Sequence, residues 1–365
     1  MLTRTSLFFV LFALVYTSGL VHAQPSTTRV GLIAPLSGEF ASYGVGAAQA
    51  MELANDQTAG PKITLVKEDN RTCQSGDAIT AFHKLVNVDK VDVVVTFCTA
   101  AAQGVLPLTI QRKIPLIQLT ESGVDPSNYM LKMMPEALPF AKQLAKDLRK
   151  KYTTIALVGN EMEVNTGPRG NLPVFSETFT RLGGKIVLTE TFPDTETDFK
   201  SLVLRIRSSG AEAVSPFIWQ PQQMAAFMKE ADRMKLWKSV PLAGNYAFEF
   251  MFSQILSVYP RLSSLEGLES INFVEHSSPE FRADYKKRFN SDPPQFADYS
   301  YDVMAIVKEC RKDAACYRKP RQGVTGAIAF GDDGRRVGRF ASKRLVKGKF
   351  EVVSAPIFSN AIDVP

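Results

Sequence analysis

Short apolar runs rich in Val, Ile and Leu alternate along this chain with longer stretches whose apolar positions recur at helical spacing. Val91–Phe97 (VDVVVTF) carries the first pattern most strongly, and Cys98-Thr99-Ala100 follow it as small residues that open a helix. A continuous β-branched run suits a strand buried on both faces, as in a parallel sheet between helix layers. The same reading predicts strands at Thr28–Pro35, Ile63–Val66 and Pro115–Gln118, and helices at Gly44–Asp56, Gly76–Asn87 and around Ala101–Arg112. Met130–Met134 reads as a short extended piece, because Pro135 disfavours helix in the residue before it. It is taken as the first crossing from one domain to another.

The alternation then restarts. Helices are expected at Glu136–Lys150, Leu172–Leu182, Asp198–Ser209 and Pro221–Met234, with strands at Thr153–Val158, Lys185–Thr191, Ala213–Ile218 and Val240–Ala243. A strand at Glu266–Phe273 precedes helices at Pro279–Asn290 and Tyr299–Lys312, and β-rich pieces follow at Thr325–Phe330, Arg339–Val346 and Phe350–Ser354. Strand and helix alternating throughout predict α/β architecture with parallel sheets covered by helices on both faces. Two such units in succession imply duplicated architecture, although no sequence repeat is visible.

The first residues stand outside this pattern. A basic start at Met1–Arg4, an apolar core at Leu7–Val15 and Val21-His22-Ala23 before Gln24 read as a secretory signal peptide over residues 1–23. The apolar run is short for a bilayer span of about 20 residues, which disfavours a membrane anchor. Gln24 in place of cysteine leaves no acceptor for a lipid. A net charge of +6, spread among scattered Lys and Arg, gives no nucleic-acid footprint; Arg335-Arg336 and Lys343-Arg344 read as solvated faces. The 4 cysteines are even in number, and in an exported chain pairing is expected as Cys73–Cys98 and Cys310–Cys316. In the loop-entropy account the first contributes about 3–4 kcal/mol and the second about 2 kcal/mol. A zinc site is the rival, but no C-x-x-C pair or nearby histidine supports it.

Chemistry is expected where strands end. In open parallel sheets ligands sit at the carboxyl ends of strands, against the amides of the next helix. Val91–Gln103 and Ile114–Gly123 (IPLIQLTESG) both end in hydroxyl residues there, Thr99 in one and Thr120 and Ser122 in the other. An enzyme finds little support. His83 and His276 have no nucleophile at motif spacing, and neither G-x-S-x-G, H-E-x-x-H nor a P-loop occurs. No cofactor or metal is expected.

Several blocks in order carry a resemblance. They are Ala34-Pro35-Leu36-Ser37-Gly38 running on to Tyr43-Gly44, Glu68-Asp69 before Cys73 with Cys98 at a strand end, Ile114–Ser122, Tyr301-Asp302, and Gly326–Gly334 (GAIAFGDDG). With them the chain resembles, over nearly its whole mature length, the periplasmic solute-binding proteins of branched-chain amino acid ABC transporters. The resemblance implies a two-lobed type I periplasmic binding fold, each lobe a parallel sheet flanked by helices, with three hinge crossings. Lobe 1 would comprise residues 24–135 and 278–326. Lobe 2 would comprise 136–277 and most of the β-rich tail, 327–365. A solute would sit between the lobes and be buried by closure.

The same resemblance assigns residues. Thr99, Thr120 and Ser122 fall where lobe 1 of the family holds a ligand's carboxylate and ammonium; otherwise each reads as a helix cap. Tyr43 matches an aromatic that covers the ligand, and Trp219 one that closes from lobe 2; ordinary packing is the alternative for both. The amino-acid binders place a lobe 2 glutamate against the ammonium, but here the stretch is Ala243-Gly244-Asn245-Tyr246. Asn245 and Tyr246 hydrogen-bond without neutralising a cation, and a buried unpaired ammonium costs several kcal/mol. Glu121, Glu161 or Glu163 would have to substitute, or the ligand is not a simple α-amino acid. Arg169, in the loop Asn165–Asn171, is a further anion-attracting residue, or an exposed turn residue. The implied function is capture of an amino acid or related carboxylate or amide for a membrane permease, by a monomer with no nucleic-acid partner. The alternatives are an aromatic acid as ligand, and a sensing subunit reporting to a membrane receptor.

Overall fold

The computed structural model describes residues 28–38, 40–71, 73–119, 129–135, 138–161, 170–244, 248–261, 265–274 and 277–358. The signal-peptide segment lies outside the described residues. Among the described residues no helix is long and apolar enough to cross a membrane.

Five strands form the first sheet: β1 (Arg29–Ala34), β2 (Thr64–Asp69), β3 (Val93–Thr96), β4 (Leu116–Gln118) and β5 (Met130–Lys132). Their order is β2-β1-β3-β4-β5 and all pairs are parallel. The helices between them are α1 (Ala41–Gln57), α2 (Ser75–Asn87) and α3 (Thr99–Arg112). Every residue of β3 is buried, as its unbroken apolar pattern requires. The disulfide Cys73–Cys98 forms, with its Cα atoms 5.5 Å apart, and ties the loop after β2 to the residue that precedes α3.

Met130–Lys132 is more than a connection. It pairs with β4 as the edge strand of this sheet, and its outer edge takes a bridge from Lys132 to Arg335. The apolar pair Met130-Leu131 is buried there, which explains an extended, apolar stretch so close to a domain crossing.

A second unit follows: α4 (Leu138–Arg149), β6 (Thr154–Asn160), α5 (Asn171–Arg181), β7 (Lys185–Phe192), α6 (Lys200–Ser208), β8 (Ala213–Phe217) and α7 (Pro221–Arg233). Its sheet runs β7-β6-β8, parallel throughout. In both sheets the first strand lies between the second and third, so the two units share a winding pattern. Residues 240–243 form no strand; a single bridge joins Leu242 to Val214. The helix α8 (Phe248–Val258) was not expected from the sequence.

The chain then places β9 (Glu269–Phe273), α9 (Pro279–Phe289), α10 (Ala297–Cys310) and the short α11 (Ala314–Tyr317). The disulfide Cys310–Cys316 joins the end of α10 to α11. β10 (Arg321–Gly323) and β11 (Gly326–Ile328) make a hairpin. β12 (Arg339–Val346), β13 (Lys349–Val352) and β14 (Ile357–Phe358) complete the structure. β12 runs antiparallel to β9, β13 and β14. Alternation of strand and helix therefore does not extend to the tail, where two-residue turns replace crossover helices and only antiparallel pairing is possible. β12 also reaches α4 and α8, through Ser342 to Asp147 at 2.6 Å and through Lys343 to Glu249 at 2.9 Å.

α10 lies against α1, with Tyr285 of α9 donating to Gln49 at 2.6 Å. The chain thus passes between the two units three times: after β5, after β9, and between Arg336, which donates to the Lys132 carbonyl, and Phe340, which pairs with Phe273.

Candidate functional site

At the first sheet's carboxyl edge, β1 ends against the start of α1. A Cβ on Gly44 would overlap the Pro35 carbonyl, so only glycine permits this close approach. The turn between them is held by Asp69, whose carboxylate accepts from the Leu36 amide at 2.8 Å and the Ser37 hydroxyl at 2.6 Å. Burial works to raise the Asp69 carboxyl, but these bonds and one from the Arg71 amide hold it below the ordinary carboxylate range. Glu68 pairs with Lys84. The acidic pair before Cys73 is therefore structural.

Thr99 is half-buried and begins α3 directly behind the Cys98 N-cap, which makes no side-chain cap bond. Thr99 thus stands at the first helical position, one residue after the N-cap. Its first-turn amides stand at the strand end, where a helix favours negative charge. Thr120, Glu121 and Ser122 lie outside the described residues, as do Glu163, Arg169, Asn245 and Tyr246. Glu161 is described and exposed.

Tyr43 belongs to an aromatic group that the sequence did not reveal. Its ring stacks on Phe97 with centroids 6.3 Å apart and planes at 14°, and meets Phe296 at 6.3 Å. Phe97 and Phe296 meet edge to face at 5.7 Å. Phe97 follows β3, and Phe296 precedes α10, so three separate elements converge here, with Phe97 and Phe296 buried. Phe296 takes φ +70, a left-handed backbone rare for a bulky residue, and functional sites are where such strain is commonly held. No sequence periodicity reports a backbone angle of this kind.

Burial raises the Tyr43 phenol above its ordinary range, partly offset by a side-chain hydrogen bond with Gln254. Gln254 lies on α8, which packs against α7 and β9. Tyr43 of the first unit thus has a polar neighbour on the second.

The second unit presents Trp219, half-buried, between β8 and the helix that opens at Pro221. Beside it lies a cluster that sequence reasoning missed. The Asn160 amide nitrogen donates to Asp194 at 2.7 Å and to Gln220 at 2.6 Å. Asn160 closes β6, Gln220 stands at the N-cap position of α7 without a side-chain cap bond, and Asp194 follows β7. The only available signal was that a polar residue ends each apolar run. In the first sheet a similar polar row runs through Thr96, Gln118 and Lys132, register partners that share one face and are all buried.

Behind the site, the crossings are tied by a buried polar network. Asp302 of α10 accepts from the Val324 amide at 2.8 Å, the Thr325 amide at 3.0 Å and the Thr325 hydroxyl. Arg336 donates to the Thr325 hydroxyl at 2.8 Å and lies 5.2 Å over the Tyr299 ring. The Tyr301-Asp302 pair noted in the sequence is thus a fastening for the crossing segments.

The comparisons agree with this geometry. The sequence profile of a family described as periplasmic binding protein matches residues 27–330. A Leu/Ile/Val-binding protein homolog 7 from Brucella suis is 22% identical over 315 residues, covering 78% of this chain and 76% of its own. A solute-binding protein of an ABC transporter from Rhodopseudomonas palustris, solved with 3,4-dihydroxybenzoic acid, superposes with a TM-score of 0.75 at 23% identity, covering 91% of this chain and 98% of its own. The LivJ branched-chain amino acid binding protein of Streptococcus pneumoniae, solved with isoleucine, superposes with a TM-score of 0.73 at 21% identity, covering 91% and 99%. These relatives are solute binders and not enzymes. With two parallel sheets wound alike and three passages of the chain between them, the chain belongs to the periplasmic binding proteins, and its fold is that of the type I solute-binding proteins.

Proposed function

We propose that this protein captures a small carboxylate, an aromatic acid, in the cleft between its lobes and delivers it to the membrane permease of an ABC transporter. The observation that carries the reading is the aromatic group Tyr43, Phe97 and Phe296 beside the first turn of α3. A flat apolar ring stacks on such a wall, and its carboxylate is met by hydroxyl and amide donors at a helix start. Thr99, Thr120 and Ser122 supply those donors, with Tyr43 and Trp219 on either side of the ring. The segment Ala243–Tyr246 contains no acid, which supports a ligand without an ammonium. The Rhodopseudomonas palustris relative, solved with a benzoic acid, is consistent with this ligand class.

An amino acid is the second reading. It is favoured by the isoleucine-bound neighbour and needs Glu121, between two site residues, to meet the ammonium, with Asn245 and Tyr246 completing the contact. In either reading the protein works as a monomer, is exported by cleavage after Ala23, and has the lobe limits expected from sequence. The exception is 327–336, which we assign to lobe 1 because Arg335 bridges Lys132.

Thermal-shift screening of the mature chain with benzoates, phenylacetates and the branched-chain amino acids tests the reading, since a ligand bound only to the folded state raises Tm. A benzoate-type acid is expected to raise Tm and to bind near micromolar Kd, about −8 kcal/mol. Thr99→Val is expected to weaken it at least tenfold. A shift with leucine or isoleucine alone would replace the aromatic acid by the second reading. A response to none of them would dismiss both.

A further inference from the structure

The second sheet has order β7-β6-β8, so its winding reverses at β6. The crevice at such a reversal, outside the strand carboxyl ends, is where parallel sheets take ligands. Asn160 ends β6 at that reversal, and Gln220 ends the connection from β8. They are 0% and 3% exposed. Their flanking residues reach outward: Glu161 is exposed and Trp219 half-buried.

The orientation of the two amides follows from one neighbour. A carboxylate only accepts, so the Asn160 atom 2.7 Å from Asp194 is its nitrogen. The same nitrogen lies 2.6 Å from Gln220, which must therefore present its oxygen. This leaves the Asn160 oxygen and the Gln220 nitrogen, and both are buried without a partner. A buried polar atom left unpaired is costly, and here an acceptor and a donor are left on adjoining side chains.

We propose that Asn160 and Gln220 form a donor–acceptor pair that reads a hydroxyl at the far end of the bound solute. A hydroxyl donates to the Asn160 oxygen and accepts from the Gln220 nitrogen, satisfying both atoms at once. The carboxylate then lies against lobe 1 and the hydroxyl against lobe 2, so a para-hydroxylated ring spans the cleft. This inference rests on the aromatic-acid reading above and adds the substituent that the second lobe selects.

Isothermal titration of the mature chain with benzoate and with 4-hydroxybenzoate is the test. The hydroxylated acid is expected to bind at least tenfold more tightly, and Gln220→Met to reduce that ratio to threefold or less, with circular dichroism confirming the fold. Asn160→Leu serves as a second variant if Gln220→Met does not fold. Equal affinity of the wild type for both acids overturns the pair while the aromatic-acid reading stands, and would mark a water site only. A ratio that persists in a folded variant overturns it too. Binding of neither acid removes the aromatic-acid reading and this inference with it.

Discussion

Asp302 shows how far one buried carboxylate is shaped by its surroundings. Burial raises it to about 6, against bonds from Thr325 and Val324 and the nearby Arg336 charge, which lower it. Asp298, behind the same crossings, is raised by burial as well, with Ser277 donating to it at 2.6 Å. A folded-state value above the unfolded one means that the protonated form is the one favoured by folding. The contribution is fully present below about pH 4 and is lost as pH rises through about 6. A displacement of roughly two pH units corresponds to about 3 kcal/mol. The stability advantage of wild type over Asp302→Asn, from urea unfolding, is therefore expected to shrink by that order between pH 4 and pH 7. A pH-independent difference would refute the assignment. Referencing to the variant is needed because Asp69 and Asp333 are shifted downward and lose stability toward acid instead. At this scale the sequence was legible only in part. Tyr43, Thr99 and Trp219 lie at strand ends or helix starts as expected, yet the partners that define them, Phe296 and Gln254, come from remote positions.

Among elements, those with a strong period were read well and those without one were not. β12 was placed with its observed ends, and most helices to within two or three residues. α8 was missed because FEFMFSQILSV is apolar nearly all round, which offers no polar face to set a helical period. Its buried positions, Phe248, Met251 and Ile255, do follow helical spacing once its packing is known. β5 was read as a connection because a three-residue edge strand has no pattern of its own. Both cysteine pairs form as the cysteine count and export suggested. Cys73–Cys98 spans 25 residues that include α2, so it constrains the unfolded chain more than its partner. Replacing Cys73 and Cys98 by Ala together is expected to cost about 3.5 kcal/mol in urea unfolding. A loss under about 1 kcal/mol would show that the loop is ordered without it.

For the whole molecule the contacts between its two units come first. Tyr43 of the first unit has the Gln254 side chain of the second as a polar neighbour, a contact that separation of the two units would break. A bond between buried neutral groups contributes about 1 kcal/mol, enough to change the closed population about fivefold. Gln254→Leu is accordingly expected to lower affinity for the preferred acid by about that factor and to enlarge the ligand-free molecule in small-angle scattering. Unchanged affinity and dimensions would assign closure to other contacts. Gln254→Leu leaves the Tyr43 ring itself in place, so its effect is read apart from loss of that ring.

What the chain alone determined was local. The alternation of apolar runs and amphipathic stretches required parallel sheets between helices. The alternation depends on neighbours a few residues apart, whose period is written directly in the order of side chains. Only the tertiary structure decided that the tail pairs antiparallel on β9, that Phe296 joins Tyr43, and that Asp194 turns the Asn160 and Gln220 amides so that one acceptor and one donor remain. Each of these joins residues tens to hundreds of positions apart. Their meeting depends on how two packed bodies fit together, and no local period along the chain records it.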